Sequence, residues 1–271
     1  MLINSDSKKV LPRNVGIFGT VGSGKTNTAQ VLIEEAARAG YAVVIFDVEG
    51  EYVEMDQPST EKHLHEKLKR FSIEPKGIAQ FQVFHPKGSE KSRKDSQEFG
   101  VPFADIPPHL ISELANLTEA QEGAFLKIIE KLREARKKAK KGNSKPKSKS
   151  AAIAFLEGDD VESDEDYGID DAIREIPDLD KVPDGTKWPL ERKLKSLQRT
   201  RIFESSQVDM TASALLKPGQ VSVIDVSSVI QDGAKNIAIA HVLRQVFDEK
   251  LRNEKSPKTL VVLEDPGLRG S

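Results

Sequence analysis

The sequence predicts an α/β protein, a mainly parallel sheet flanked by helices, built around a phosphate-binding loop. Three observations predict it. Gly19-Thr20-Val21-Gly22-Ser23-Gly24-Lys25-Thr26 fits a glycine, four free positions, then Gly-Lys and a Ser or Thr. Two continuous apolar runs, 41–46 and 259–263, have the character of parallel strands covered on both faces, and each is followed by acid, Asp47 in one case and Glu264-Asp265 in the other. Between them, stretches of helical and strand periodicity alternate.

Residues 1–13 read as an arm or strand leading to the core, and Asn14-Val15-Gly16-Ile17-Phe18 as a short buried strand entering the loop. Residues 27–38 read as a helix with Val31, Leu32 and Ile33 as apolar positions and Gly40 as its stop. This context gives the loop its chemistry. Glycines let the backbone turn tightly and aim N–H groups at phosphate oxygens. The helix dipole points at the same anion. Lys25 reaches outer phosphates as a point charge, and the Thr26 hydroxyl suits Mg²⁺.

The run 41–47 is the next strand, its carboxyl end on the rim where such sheets place ligands. Asp47-Val48-Glu49-Gly50-Glu51-Tyr52 then clusters three acids. One could orient water or hold Mg²⁺ through water; equally, the segment could be a solvated turn with Gly50 at positive φ. The spacing leaves both readings open.

Residues 60–70 read as a polar helix and 80–85 as a half-buried strand, with His85 as a polar strand end before a Lys/Ser/Gly-rich loop. Val101-Pro102-Phe103 reads as a short edge strand, because a proline cannot donate to a ladder. From 107 to 136 apolar residues recur at helical spacing, with Thr118 and Gln121 spaced as a capping box. Lysine-rich 137–149 and acidic 159–166 read as a disordered insertion. The lysine block is either a solvated tether or a DNA phosphate contact. A helix over 188–205 carries Arg192, Arg199 and Arg201 on a solvated basic face. A Pro-Gly turn at 215–220, a strand at 221–226 and a helix at 236–251 lead to a buried strand at 259–265. Its terminal Glu264 and Asp265 suit a metal-side acid and an acid that orients the attacking water.

The 271 residues, 37% hydrophobic and 31% charged, allow a real core while leaving part of the chain outside it. A net charge of −2 gives no overall basic signature, though a ring could confine positive charge to one surface. With no cysteine, disulfides and thiolate metal sites are excluded. No run is long and apolar enough to cross a bilayer and no secretion signal opens the chain, so a soluble cytoplasmic protein is expected.

These motifs, in this order, resemble the HerA branch of the HerA/FtsK superfamily of ring-forming ATPases over roughly residues 10–265, less the charged insertion. The resemblance rests on the glycine loop, on Asp47-Val48-Glu49-Gly50-Glu51-Tyr52, on Lys217-Pro218-Gly219-Gln220-Val221-Ser222-Val223-Ile224-Asp225, and on the long helix and acid-tipped strand that follow. It implies a RecA-like core spanning 1–265, interrupted by a helical insertion at 86–218 that contains the charged segment 137–170. It also implies ATP and Mg²⁺, a homohexamer, double-stranded DNA moved through a central channel, and a nuclease partner.

Carried over residue by residue, the resemblance puts Gly19, Thr20, Val21, Gly22, Ser23, Gly24, Lys25, Thr26 and Asn27 on the nucleotide. Lys25, Glu264 and Asp265 become catalytic, Thr26 and Glu264 metal-holding, and Asp47 and Glu51 match a second acidic motif. There are departures. The family carries a small β-rich domain before the core, for which the loop here begins too early to leave room, and Pro266-Gly267 stands where the family has Ala-His. The strand and distal segment that supply a sensor and a trans-acting arginine do not occur by Ser271. A fragment of a longer protein is therefore expected, with 266–271 as a tail or cloning remnant. The competing expectation is a nucleotide-dependent switch, or a structural subunit of a DNA-processing or defence complex.

Overall fold

A computed structural model describes residues 14–141, 167–204 and 210–264. At its centre is a five-stranded sheet, parallel at every pairing. β1 (Ala42–Asp47), β2 (Phe81–Pro86), β3 (Gln97–Phe99), β4 (Val221–Asp225) and β5 (Thr259–Leu263) lie in the order β3-β2-β4-β1-β5. β1 and β4 occupy the middle and are buried at every position, which is why both read as continuous apolar runs.

The two faces are covered very differently. α1 (Lys25–Arg38) lies over one, where Val43, Ile45, Val83, Val221 and Val223 pack against Ile33 and Tyr52. Against the other, Ala42, Val44, Phe46, Phe84 and Ile224 meet α3 (Pro108–Leu114), α4 (Glu119–Lys141), α5 (Ile169–Glu175), α6 (Asp184–Gln198), α7 (Ala212–Leu215) and α8 (Asp232–Arg252). α2 (Lys62–Arg70) connects β1 towards β2 and is largely exposed. Within the thick layer, Phe103 stands edge-on to Phe125, Tyr167 and Phe203, with centroids 6.4, 6.2 and 5.2 Å away. α8 buries His241 among Ala238, Val242 and Val246.

Several sequence expectations change. Residues 14–18 form no strand and lie outside the sheet, with Val15 57% and Phe18 94% exposed. An apolar run becomes a strand only where a neighbour offers a ladder, and among the described residues β5 pairs on one side only, with β1. β5 itself is an edge strand rather than a buried one, and Leu263 is 61% exposed. The edge strand expected at 101–103 lies instead at Gln97–Phe99, and Phe103–Asp105 is a 3₁₀ turn. β2 is buried over its second half because β3 and β4 flank it.

The helices start and stop slightly off their sequence-predicted bounds. α6 begins at Asp184 and ends at Gln198, where the reading ran to 205, and α8 starts four residues early, at Asp232. Gln121 Oε1 accepts the Thr118 N–H at 3.1 Å, so the expected capping glutamine does reach back. α4 continues through Lys141 and α5 starts at Ile169, so the segment 137–170 is helical at both ends. Residues 142–166, with most of its charged blocks, lie outside the described residues.

Candidate nucleotide site

α1 runs antiparallel to β1. Its C-terminus closes through Gly40, at φ 82°, into the start of the strand, so its N-terminus lies at the sheet's carboxyl rim. The glycine loop crosses that N-terminus. Gly22 and Gly24 have φ of 78° and 85°, in the left-handed region, and Gly24 is the N-cap of α1. Among the described residues no side chain caps the helix, and no acid occupies its first turn, so its leading N–H groups and positive dipole end face outward. Residues 19–24 are exposed, while Lys25 and Thr26 are half-buried and Asn27 is exposed. Ser23 N–H donates to the Thr20 carbonyl at 3.2 Å, and Lys25 Nζ folds back onto the same carbonyl at 3.1 Å. The loop thus carries its cation across its own mouth.

The acidic segment after β1 is organised by Asp47. Its Oδ1 accepts the N–H groups of Gly50 and Glu51 at 2.7 and 3.1 Å, and its Oδ2 accepts that of Tyr52 at 2.8 Å. A buried carboxylate holding three backbone donors is a loop organiser. Burial pushes the Asp47 carboxyl up; the three donors oppose this and Asp225 adds to it. Gly50 sits at φ 80°, as the turn reading required. Glu51 leaves its side chain exposed, and its carbonyl accepts from Gln30 of α1 at 3.2 Å. That bond brings α1 and the acidic loop into contact.

The register extends the site across the sheet. Asp47 pairs with Asp225, and Phe84 with Ile224, which puts His85 level with Asp225. On the other side Phe46 pairs with Leu263, which puts Glu264 level with Asp47. His85, Asp225, Asp47 and Glu264 therefore form one row at the carboxyl rim. They continue the Val43, Val83, Val223 and Val262 side of their strands, the face that α1 covers.

Glu264 is pushed up to about 7, first by burial, then by the carboxylates of Asp47, Glu51 and Glu49, against the Val48 N–H. Its Oε2 is buried with no partner among the described residues. Tyr52, beneath it, is pushed up to about 12 by burial and by Glu264, Asp47 and Glu51. Asp265 lies outside the described residues.

The sequence reading missed three participants. Asp225 is fully buried; its Oδ1 accepts from Ser227 N–H at 3.0 Å and Oγ at 2.6 Å, and its Oδ2 has no partner among the described residues. The signal was present, since an apolar strand ending in acid is what drew attention to Asp47. His85 is fully buried with neither ring nitrogen partnered among the described residues, and burial lowers its pKa. Arg93 grips Asp56 at 2.6 and 2.9 Å, Asp95 at 2.9 Å and the Val53 carbonyl at 2.8 Å. It straps the loop after β1 to the loop after β2, and its two carboxylates raise its pKa. Nothing local in a Lys/Ser-rich loop announces a partner almost forty residues away.

A parallel sheet with a glycine loop opening its first helix, and acids along the same rim, defines a RecA-like P-loop ATPase domain of the HerA/FtsK type. The family described as "Helicase HerA, central domain" matches residues 3–246, and the chain belongs to it. That match includes the glycine loop, the Asp47 segment and β4, and stops before β5.

The chain is 24% identical over 278 residues to the DNA double-strand break repair helicase HerA of Sulfurisphaera tokodaii, covering 97% of this chain and 47% of that protein. It is 23% identical over 241 residues to the protein of the same name from Saccharolobus solfataricus, covering 88% and 39%. The chain thus spans less than half the length of these relatives. VirB4 of Thermoanaerobacter pseudethanolicus shares the fold at a TM-score of 0.53 and 15% identity, over 90% of this chain and 58% of that one. Among the described residues no helix is long and apolar enough to cross a membrane.

Proposed function

We propose that this chain is the ATP-binding and ATP-hydrolysing domain of a motor that moves double-stranded DNA. It works in the cytoplasm as a homohexamer beside a nuclease. The observation that carries the reading is the convergence on one rim and one sheet face of an outward-facing glycine loop and a row of acids ending in Glu264.

The residues fit a magnesium nucleotide. The loop from Gly19 to Asn27 offers backbone donors and no acid in the first helical turn. On the acid side, the buried Glu264 Oε2 lacks a partner among the described residues. Lys25 exchanges its bond to Thr20 for the outer phosphates, where its ammonium charge stabilises negative charge that builds up in the transition state. The Thr26 hydroxyl and Glu264 carboxylate would hold Mg²⁺, which would neutralise phosphate charge. Asp265, the next acid along, orients the attacking water. Asp47 and Glu51 shape the loop beneath, Asp47 through its three backbone bonds.

The test is ATP turnover with and without duplex DNA, measured alongside mass in solution. Lys25→Ala is expected to lower turnover by at least ~100-fold, the scale of losing one transition-state charge contact. Undiminished hydrolysis in that variant rejects the site. Nucleotide binding with no duplex stimulation would favour a nucleotide switch over a motor.

A further inference from the structure

We propose that the outward stripe of α6 binds a single DNA strand, with its cations on phosphates and Trp188 beneath an unpaired base. This rests on the proposed function in that the protein's partner is a nucleic acid; the stripe lies in the helical layer on the sheet face opposite α1.

α6 buries Leu190, Leu194 and Leu197 against the thick layer. The face turned away carries Trp188, Arg192, Lys195 and Arg199, at spacings of four, three and four, which is one stripe of an α-helix. Trp188 is 74% exposed. The stripe edges a shallow groove of about 540 Å³.

Not every cation here is available. Lys193 turns aside to Gln121 Oε1 at 2.8 Å and to the Asn116 carbonyl, anchoring the helix. Lys195 meets Glu191 at 2.6 Å. The guanidinium groups of Arg192 and Arg199 make no hydrogen bond or ion pair among the described residues. Three cations thus face outward with one carboxylate, in a chain whose net charge is −2.

The pattern selects a class of partner. Unpaired guanidiniums suit phosphates, which they bind in a planar fork. An indole face among them adds sequence-tolerant stacking on a base. From Trp188 to Arg199 the rise is ~16 Å at 1.5 Å per residue, enough to track a few nucleotides. Within a duplex the phosphates are offered but the base faces are hidden except at the terminal pairs, so the tryptophan favours an unpaired strand.

Trp188 is the chain's sole tryptophan, so its emission reports this surface alone. Titration of the full chain with a single-stranded oligonucleotide is expected to quench that emission to saturation. In the double variant Arg192→Ala/Arg199→Ala the affinity should fall by roughly tenfold. The slope of log affinity against log salt should shrink by about 1.4, at about 0.7 per phosphate contact. Both arginines are exposed, so an unchanged melting temperature checks the fold.

Emission unmoved by the strand, or equal affinity in the double variant, overturns the proposal. So does equal quenching by blunt duplex, or displacement by polyglutamate as readily as by oligonucleotide, which would mark a surface for acidic proteins. Lys25→Ala should keep the quenching while losing hydrolysis, so a failed stripe and a failed motor give different results.

Discussion

The two faces of the sheet are built to different standards. Behind it, helices α3 to α8 bury a continuous core in which Phe103 stands edge-on to three other aromatic rings. In front, α1 covers a small aliphatic patch with Ile33 and a few alanines, and the loop it carries stands in solvent. The difference teaches where each property resides. Stability is concentrated in the thick helical layer, and the candidate chemistry sits on the thinly covered side. Loops and low-contact elements are where binding sites can rearrange at small cost.

The comparison can be broken at its strongest point first. Phe125, fully buried at the centre of the thick layer, is expected to cost about 3–5 kcal/mol when cut to alanine, read by urea unfolding. ATP affinity of the folded variant should not move; a parallel loss of affinity would mean that the faces are coupled through the sheet.

The second test uses pH. Burial, aided by Arg244, lowers His241 to about 4 from 6.5, and Gln245 approaches its Nε2 at 2.9 Å. The folded state therefore keeps this ring neutral while the unfolded chain takes up a proton. Stability is full above pH 6.5 and falls as pH drops towards 4, by about 3 kcal/mol from this group. His241→Leu should flatten that part of the melting-temperature profile, and an unaltered slope would remove His241 as its source.

The third and smallest effect sharpens the contrast from the thin side. Asp47→Ala leaves three backbone N–H groups without their acceptor and should cost about 1–3 kcal/mol. Nucleotide affinity should fall with it, because Glu51 and its contact with Gln30 depend on that loop. Full affinity in a destabilised Asp47→Ala would confine Asp47 to stability alone.

Much of the molecule was legible as text. The glycine loop, the helix behind it, β1, β4, β5 and the long helix α8 all carry local signals, and each appears with small shifts of boundary. Local signals work there because φ preference, capping and burial on both faces are properties of neighbouring residues. Residues 14–18 show the limit: an apolar pentapeptide says that it wants burial, but not whether a ladder is there to receive it. Pro102 misled similarly, since the edge strand was set by what β2 could pair with at Gln97–Phe99.

The sequence by itself determined the phosphate loop, the parallel α/β class and the family resemblance, because these depend on residues within one turn or one strand of each other. Only the tertiary structure decided that His85, Asp225, Asp47 and Glu264 share one row beneath α1. Likewise, only the fold ties Arg93 to Asp56 and turns Trp188, Arg192 and Arg199 outward together. The physical reason is register. Which strands lie side by side, and at what offset, is fixed by the packing of whole layers, and no window along the chain contains that information.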